Sequence, residues 1–292
     1  MGIRTDMAVE SAEHLGENLP KGVTSEEVVI DGITLTKISI KDDDASEKLG
    51  KPIGQYTTID ASSIRRHVDG IPGEVGALAE SLAQMIPKDG GVLVAGLGNS
   101  DITPDALGPK IIGQIFATRH IPAETVSQGG LDGLRDVCAI ATGVLGQTGM
   151  ESAEIISSIC NRLNPSVVIV VDALACSSIN RLGSTIQVTN TGISPGSGVQ
   201  NKRKELSQES IGVPVIAIGV PTVVDMTTIA HEMFEMQGSA SAKEISEKGR
   251  TMMVTPREID VIIDRAARLV ALGINSALQP TLSVQDIECL VG

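Results

Sequence analysis

From residue 91 onward, short apolar runs alternate with stretches whose apolar residues recur at helical spacing. Val92-Leu93-Val94-Ala95 is too short for a helix and partly β-branched, so it reads as a buried strand. Val167-Val168-Ile169-Val170-Val171 and Val213 to Val220, ended by Pro221, read the same way, and Val137 to Ala141 and Ser184 to Val188 are further strands. Helices are predicted at Val75, Leu78, Leu82 and Met85, at Ile111, Ile112 and Ile115, and from Thr148 through Ile155, Ile156 and Ile159 to Leu163. Another opens at Thr222 or Asp225 and runs to about Met236. Thr255-Pro256-Arg257-Glu258 starts a long helix as a capping box, with Ile259, Ile262, Ile263, Ala266 and Leu269 inward and Gly273 near its end. This alternation predicts an α/β fold: a mostly parallel sheet with helices on both faces.

The first part of the chain has a different rhythm. Residues 26–40 read as a hairpin about the turn dipeptide Asp31-Gly32, and Tyr56 to Ile59 as a short strand. Lys41 to Lys51 is charged and reads as a loop. A hairpin-rich subregion, about residues 24–60, is therefore predicted to pack on the main sheet or join its edge. Thr189 to Ser210 reads as a surface loop with Lys202-Arg203-Lys204 as its basic cluster, and Gly238 to Gly249 as a linker.

Composition narrows the chemistry. The 292 residues include no Trp, one Tyr and two Phe, so the core is aliphatic. A net charge of -13 argues against direct nucleic-acid or anionic-membrane binding. No apolar stretch reaches the length of a membrane span, and Met1 to Asp6 has no apolar signal region. Cys138, Cys160, Cys176 and Cys289 are scattered without C-x-x-C spacing, which fits reduced thiols in a cytosol-like compartment. The four histidines form no H-E-x-x-H pattern, and neither a metal nor another cofactor is expected.

Two acids stand where ligands bind in open α/β sheets, outside the carboxyl ends of strands. Gly96 and Gly98 end the first strand, Thr103 and Pro104 open a helix as cap and first residue, and Asp105 falls in its first turn. Asp172 directly follows the second run. Spacing alone leaves Asp105 open as either a dipole partner or a catalyst. An acid after a five-residue apolar run is harder to explain without a role, since burying a carboxylate is costly. Gly143-Val144-Leu145-Gly146-Gln147-Thr148-Gly149 lacks the lysine of a phosphate loop and reads as a structural turn.

Gly96-Leu97-Gly98-Asn99 with Thr103-Pro104-Asp105-Ala106-Leu107-Gly108-Pro109 resembles the germination protease family, the endopeptidases that degrade small acid-soluble spore proteins. Ile3 to Glu10, Gly146-Gln147-Thr148-Gly149, Val171 to Ala175, Val213 to Asp225 and Met253 to Pro256 are similar to the same family, so the resemblance covers nearly the whole chain. It implies a fold similar to hydrogenase-maturation endopeptidases and a catalytic pair at Asp105 and Asp172. It also implies a homotetramer, made as a self-processing zymogen in the cytoplasm of the forespore and spore core.

Asp6-Met7-Ala8-Val9-Glu10 is similar to the family's cleavage site, which places the propeptide at residues 1–6 and a single protease domain at 7–292. On composition alone, the same stretch is an ordinary disordered terminus. The resemblance has departures: Ser100-Asp101 adds a carboxylate near the site, and the segment between Met236 and Met252 is short. The alternative is a metal-dependent maturation-type endopeptidase, with Asp105 and Asp172 as ligands. Ala106 then stands where that type has an acid, and no His occupies an obvious third position.

Overall fold

The computed structural model describes residues 5–16, 19–66, 72–122, 133–196, 203–226, 228–229 and 252–291. The helix end near Met236, His231 and the linker 238–249 lie outside these residues. Among those described, the strands are β1 (Val23–Ile30), β2 (Ile33–Ile40), β3 (Gly54–Asp60), β4 (Val92–Leu97), β5 (Val137–Gly143), β6 (Val167–Cys176), β7 (Thr185–Thr189), β8 (Val215–Asp225) and β9 (Met253–Val254). The helices are α1 (Ala8–Glu13), α2 (Asp43–Leu49), α3 (Pro72–Ala83), α4 (Leu107–Ile112), α5 (Leu145–Thr148), α6 (Ser152–Leu163), α7 (Gln208–Ile211), α8 (Ile259–Leu278) and α9 (Val284–Val291).

One sheet runs in the order β1-β2-β3-β7-β8-β6-β4-β5, with β9 added to β8. The expected α/β architecture with helices on both faces is present, but parallel pairing is confined to β8, β6, β4 and β5. The other pairings are antiparallel. For β1 and β2 the cause is connection length: a parallel neighbour needs a crossover of roughly a dozen residues or more, and their two-residue turn cannot supply one. That turn is the predicted Asp31-Gly32, both at positive φ (49° and 80°) as a tight hairpin turn requires.

Residue parity on β6 assigns the two faces. Val167, Ile169 and Val171 join the large core cluster beneath α3, α4 and α8. Val168 and Val170 face α6, with Ile156 and Cys160. Leu174 and Cys176, further along that second face, belong to a separate cluster with Met7 and Val9 of the N-terminal segment and Ile38 and Tyr56 of the hairpin region. Asp172 interrupts this row between the two apolar clusters.

Several local expectations are revised. Lys41 to Lys51 contains α2, whose N-cap Asp42 accepts the Ala45 N–H at 2.9 Å and whose Ala45 and Leu49 are buried. One apolar pair at i, i+4 is enough to seat a charged helix on a core. β6 continues past Asp172 to Cys176, and β8 past Pro221 to Asp225. Pro221 is accommodated because the β6–β8 register shifts between Leu174 and Ala175, and proline is tolerated at such irregularities. Thr222 is a strand residue rather than a helix start, whereas Asp225 ends β8 and is followed directly by helical Met226. Helix α6 is capped by Glu151, not Thr148, and α8 begins after Glu258 with no side-chain cap, the Thr255 hydroxyl bonding the Thr222 carbonyl instead.

Candidate active site

The end of β4 and the start of α4 nearly touch. A Cβ on Gly96 would stand 2.4 Å from the Gly108 carbonyl oxygen, and one on Gly98 would stand 2.0 Å from the carbonyl oxygen of Asp105. Gly98 also has φ +104°, a region that side chains disfavour. These contacts hold Asp105 against the strand end. Asp105 lies in a 3₁₀ turn, Thr103–Asp105, capped by Ile102, so Thr103 is not the cap and the α-helix starts only at Leu107. The Asn99 N–H donates to Asp105 Oδ2 at 2.8 Å and to its carbonyl oxygen at 3.1 Å.

Asp172 comes from the sheet. Gly96 is the last β4 residue in register with β6, opposite Val171, so Asp172 sits one step beyond that pairing. It is 6 % exposed, and its Oδ1 accepts the Ala173 N–H at 2.9 Å. Asp105 and Asp172 line one cleft of about 560 Å³, together with Asp6, Glu151, Arg203 and Thr222. The sequence-derived pair is thus brought together.

The environment raises the proton affinity of both acids. Burial pushes Asp105 above its ordinary value, partly offset by the Asn99 N–H. Burial pushes Asp172 well above its own, reinforced by the charges of Asp105 and Asp6 against the opposing Ala173 N–H. Asp172 is therefore the member that keeps its proton, and Asp105 the one that ionises first. Asp101 is exposed and is not part of the cleft wall; its Oδ2 accepts the Gln147 side chain at 3.2 Å.

Other residues of the site were not singled out by pattern. Gln147 also donates to Asn99 Oδ1 at 2.7 Å, so the glycine-rich turn around α5 braces the loop carrying Asp105. The basic cluster is not simply a solvated loop: Arg203 and Lys204 line the cleft, 4.0 Å from Glu151 and 2.9 Å from Glu154 respectively. Among the described residues, no group of three or more His, Cys, Asp or Glu side chains is placed to hold a metal ion.

The N-terminal segment, read on composition as a disordered end, is docked from Thr5 onward. The Asp6 N–H donates to the Ala175 carbonyl oxygen and the Ala175 N–H to Asp6 Oδ2, each at 2.9 Å. Met7 is fully buried. The buried Glu10 accepts Ser177 N–H at 2.6 Å, the Ser177 hydroxyl at 2.8 Å and Ser178 N–H at 3.0 Å, with Arg181 at 3.7 Å. The Thr5 hydroxyl donates to it as well, and together these partners satisfy a carboxylate that burial would otherwise penalise.

Known proteins match the sequence of this chain across most of its length. The family described as germination protease matches residues 4–248. A germination protease of Clostridium perfringens is 43% identical, covering 98% of this chain and 98% of that protein. One from Caldanaerobacter subterraneus is 40% identical over 100% and 98%, and one from Bacillus cytotoxicus 36% over 94% and 93%. Among solved structures, a nickel–iron hydrogenase maturation protease HycI from Thermococcus kodakarensis covers 68% of this chain and 98% of its own, at 18% identity and a TM-score of 0.38, a likeness too distant to bear on the fold. Similarity of this depth, sustained from end to end, means that the chain belongs to the germination protease family.

Proposed function

We propose that this chain is an endopeptidase that starts the breakdown of small acid-soluble spore proteins during germination, with Asp105 and Asp172 as its catalytic pair. The observation that carries the reading is the cleft itself. Two carboxyl groups share it, and burial raises the proton affinity of both, that of Asp172 well above its ordinary value. Asp105, ionised, takes a proton from water, whose oxygen adds to the peptide carbonyl carbon. Asp172 delivers its proton to the departing nitrogen as the C–N bond breaks. Proton return from Asp105 to Asp172 resets the pair.

The chain is made as a precursor that removes residues 1–6 by cutting Asp6–Met7. Asp6 lining the same cleft supports this assignment. It assembles as a homotetramer in the spore core, where its substrates are; among the described residues no helix is long and apolar enough to cross a membrane.

Incubation with a purified small acid-soluble spore protein, followed by mass spectrometry, tests the activity. The wild-type chain should cut after acidic residues, while folded Asp105→Asn and Asp172→Asn variants leave the protein intact. Wild-type rates in both variants would remove these residues from the mechanism. Sequencing of the processed chain should start at Met7, and a chain that cuts its substrate while still starting at Met1 would remove the self-processing step.

A further inference from the structure

The mechanism above leaves one atom unattended, the carbonyl oxygen of the bond being cut, on which negative charge develops as water adds. In the docked N-terminal segment that atom has a partner. Gln187 Nε2 donates to the Asp6 carbonyl oxygen at 3.2 Å, and Gln187 Oε1 accepts the Ala8 N–H at 2.7 Å. A single side-chain amide thus brackets the Asp6–Met7 peptide, with a donor on its acyl side and an acceptor one residue beyond its leaving nitrogen. Gln187 is 6 % exposed and held on β7 in register with Gly219 of β8, which is itself in register with Asp172 of β6. Residues paired across a sheet project from the same face, so Gln187 and Asp172 share a face with Gly219 between them.

We propose that Gln187 is the oxyanion donor for cleavage of the Asp6–Met7 bond and the clamp that sets its register; this rests on the self-processing reading above. As the water oxygen bonds to the Asp6 carbonyl carbon, the carbonyl oxygen takes the electron pair and the Nε2–H bond to it shortens. Collapse breaks the C–N bond, returns the pair and releases Met7 as an amine carrying the proton from Asp172. The bond to Ala8 N–H keeps the leaving side from rotating meanwhile. A fixed amide is suited to this, since it needs no reorganisation as charge appears.

The test follows the loss of residues 1–6 from the full chain by intact mass, in wild type, Gln187→Glu and Gln187→Met, with thermal unfolding as the check on folding. Removal of one such donor slows an acyl-transfer step by roughly 100-fold or more, and both variants should show a loss of that order near neutral pH. Gln187→Glu keeps the acceptor for Ala8 but loses the donor while ionised. Its rate relative to wild type should recover as pH falls and the new carboxyl gains a proton it can donate, whereas Gln187→Met should not recover. If Gln187→Met does not fold, Gln187→Glu alone decides. A wild-type rate in a folded variant, or a Gln187→Glu deficit independent of pH, would overturn the donor role while leaving self-processing in place. A wild-type chain that never cuts Asp6–Met7 would overturn both.

Discussion

The charge on Asp105 is one of the forces that keep the proton on Asp172. The two reach one cleft from different directions, Asp172 from within a strand and Asp105 from a 3₁₀ turn braced by Asn99. Their inequality comes from position: Asp172 is walled in by its own sheet, while Asp105 is only half-buried.

That inequality sets a stability cost. A carboxyl with raised proton affinity in the folded chain makes folding less favourable once pH climbs past its ordinary value of 3.8. The loss grows until pH reaches the raised value and is constant above it. Asp172→Asn should therefore melt a few degrees above wild type at pH 7, with the gap closing as pH is lowered toward 3.8. Its peptidase rate should meanwhile fall by about 10³-fold. Scanning calorimetry across pH, beside a cleavage assay, checks both signs.

The proposed mechanism uses Asp105 ionised and Asp172 protonated, so it predicts a bell-shaped kcat/KM in pH. The acid limb follows Asp105 and lies above 3.8, because burial raises that group; the alkaline limb follows Asp172. Initial rates on an uncharged-flank peptide give the profile, and a curve still rising beyond pH 10 would contradict the assignment of Asp172 as the acid.

Gly98→Ala should damage the site more than the fold. The added carbon meets the Asp105 carbonyl and forces φ +104° on a side chain, a strain of about 1–3 kcal/mol. Displacement of Asp105 should lower kcat/KM by about 100-fold. Gly76→Ala is the control, since its Cβ meets nothing closer than 3.9 Å and α3 should gain about 0.5–1 kcal/mol.

Gln147→Ala removes the exposed brace between the glycine-rich turn and the Asn99–Asp101 loop. Each hydrogen bond is worth about 0.5–1.5 kcal/mol net, so kcat/KM should drop roughly 3- to 10-fold with little change in melting temperature. An unchanged kcat/KM would show that Asn99 holds Asp105 without help.

The strand–loop–helix unit at β4 and α4 was legible because the apolar run, the glycines and the proline all point one way. Asp105 and Asp172 stood out as acids beside apolar runs. What misled was the use of single polar residues as boundaries. Asp172 and Pro221 each look like a strand end, yet both strands continue because their neighbours supply pairing on at least one side. Asn99 and Gln147 stood out only as members of family-like motifs, with no role attached, and Gln187 gave no signal, since an uncharged amide at a polar position looks the same whether it faces water or a reacting bond. Their roles arise from register between distant strands and loops, which periodicity within one segment does not encode.

Because the chain has no tryptophan and a single tyrosine, ultraviolet emission excited at wavelengths too long for its two phenylalanines has one source. Tyr56 is buried, donates to the Pro52 carbonyl at 2.8 Å and lines a cavity of about 440 Å³ walled in part by Thr5 and Asp6. Departure of the first six residues would reopen that chamber to solvent beside the lone fluorophore. The proposed processing would therefore carry its own optical clock, readable without dye, label or engineered probe.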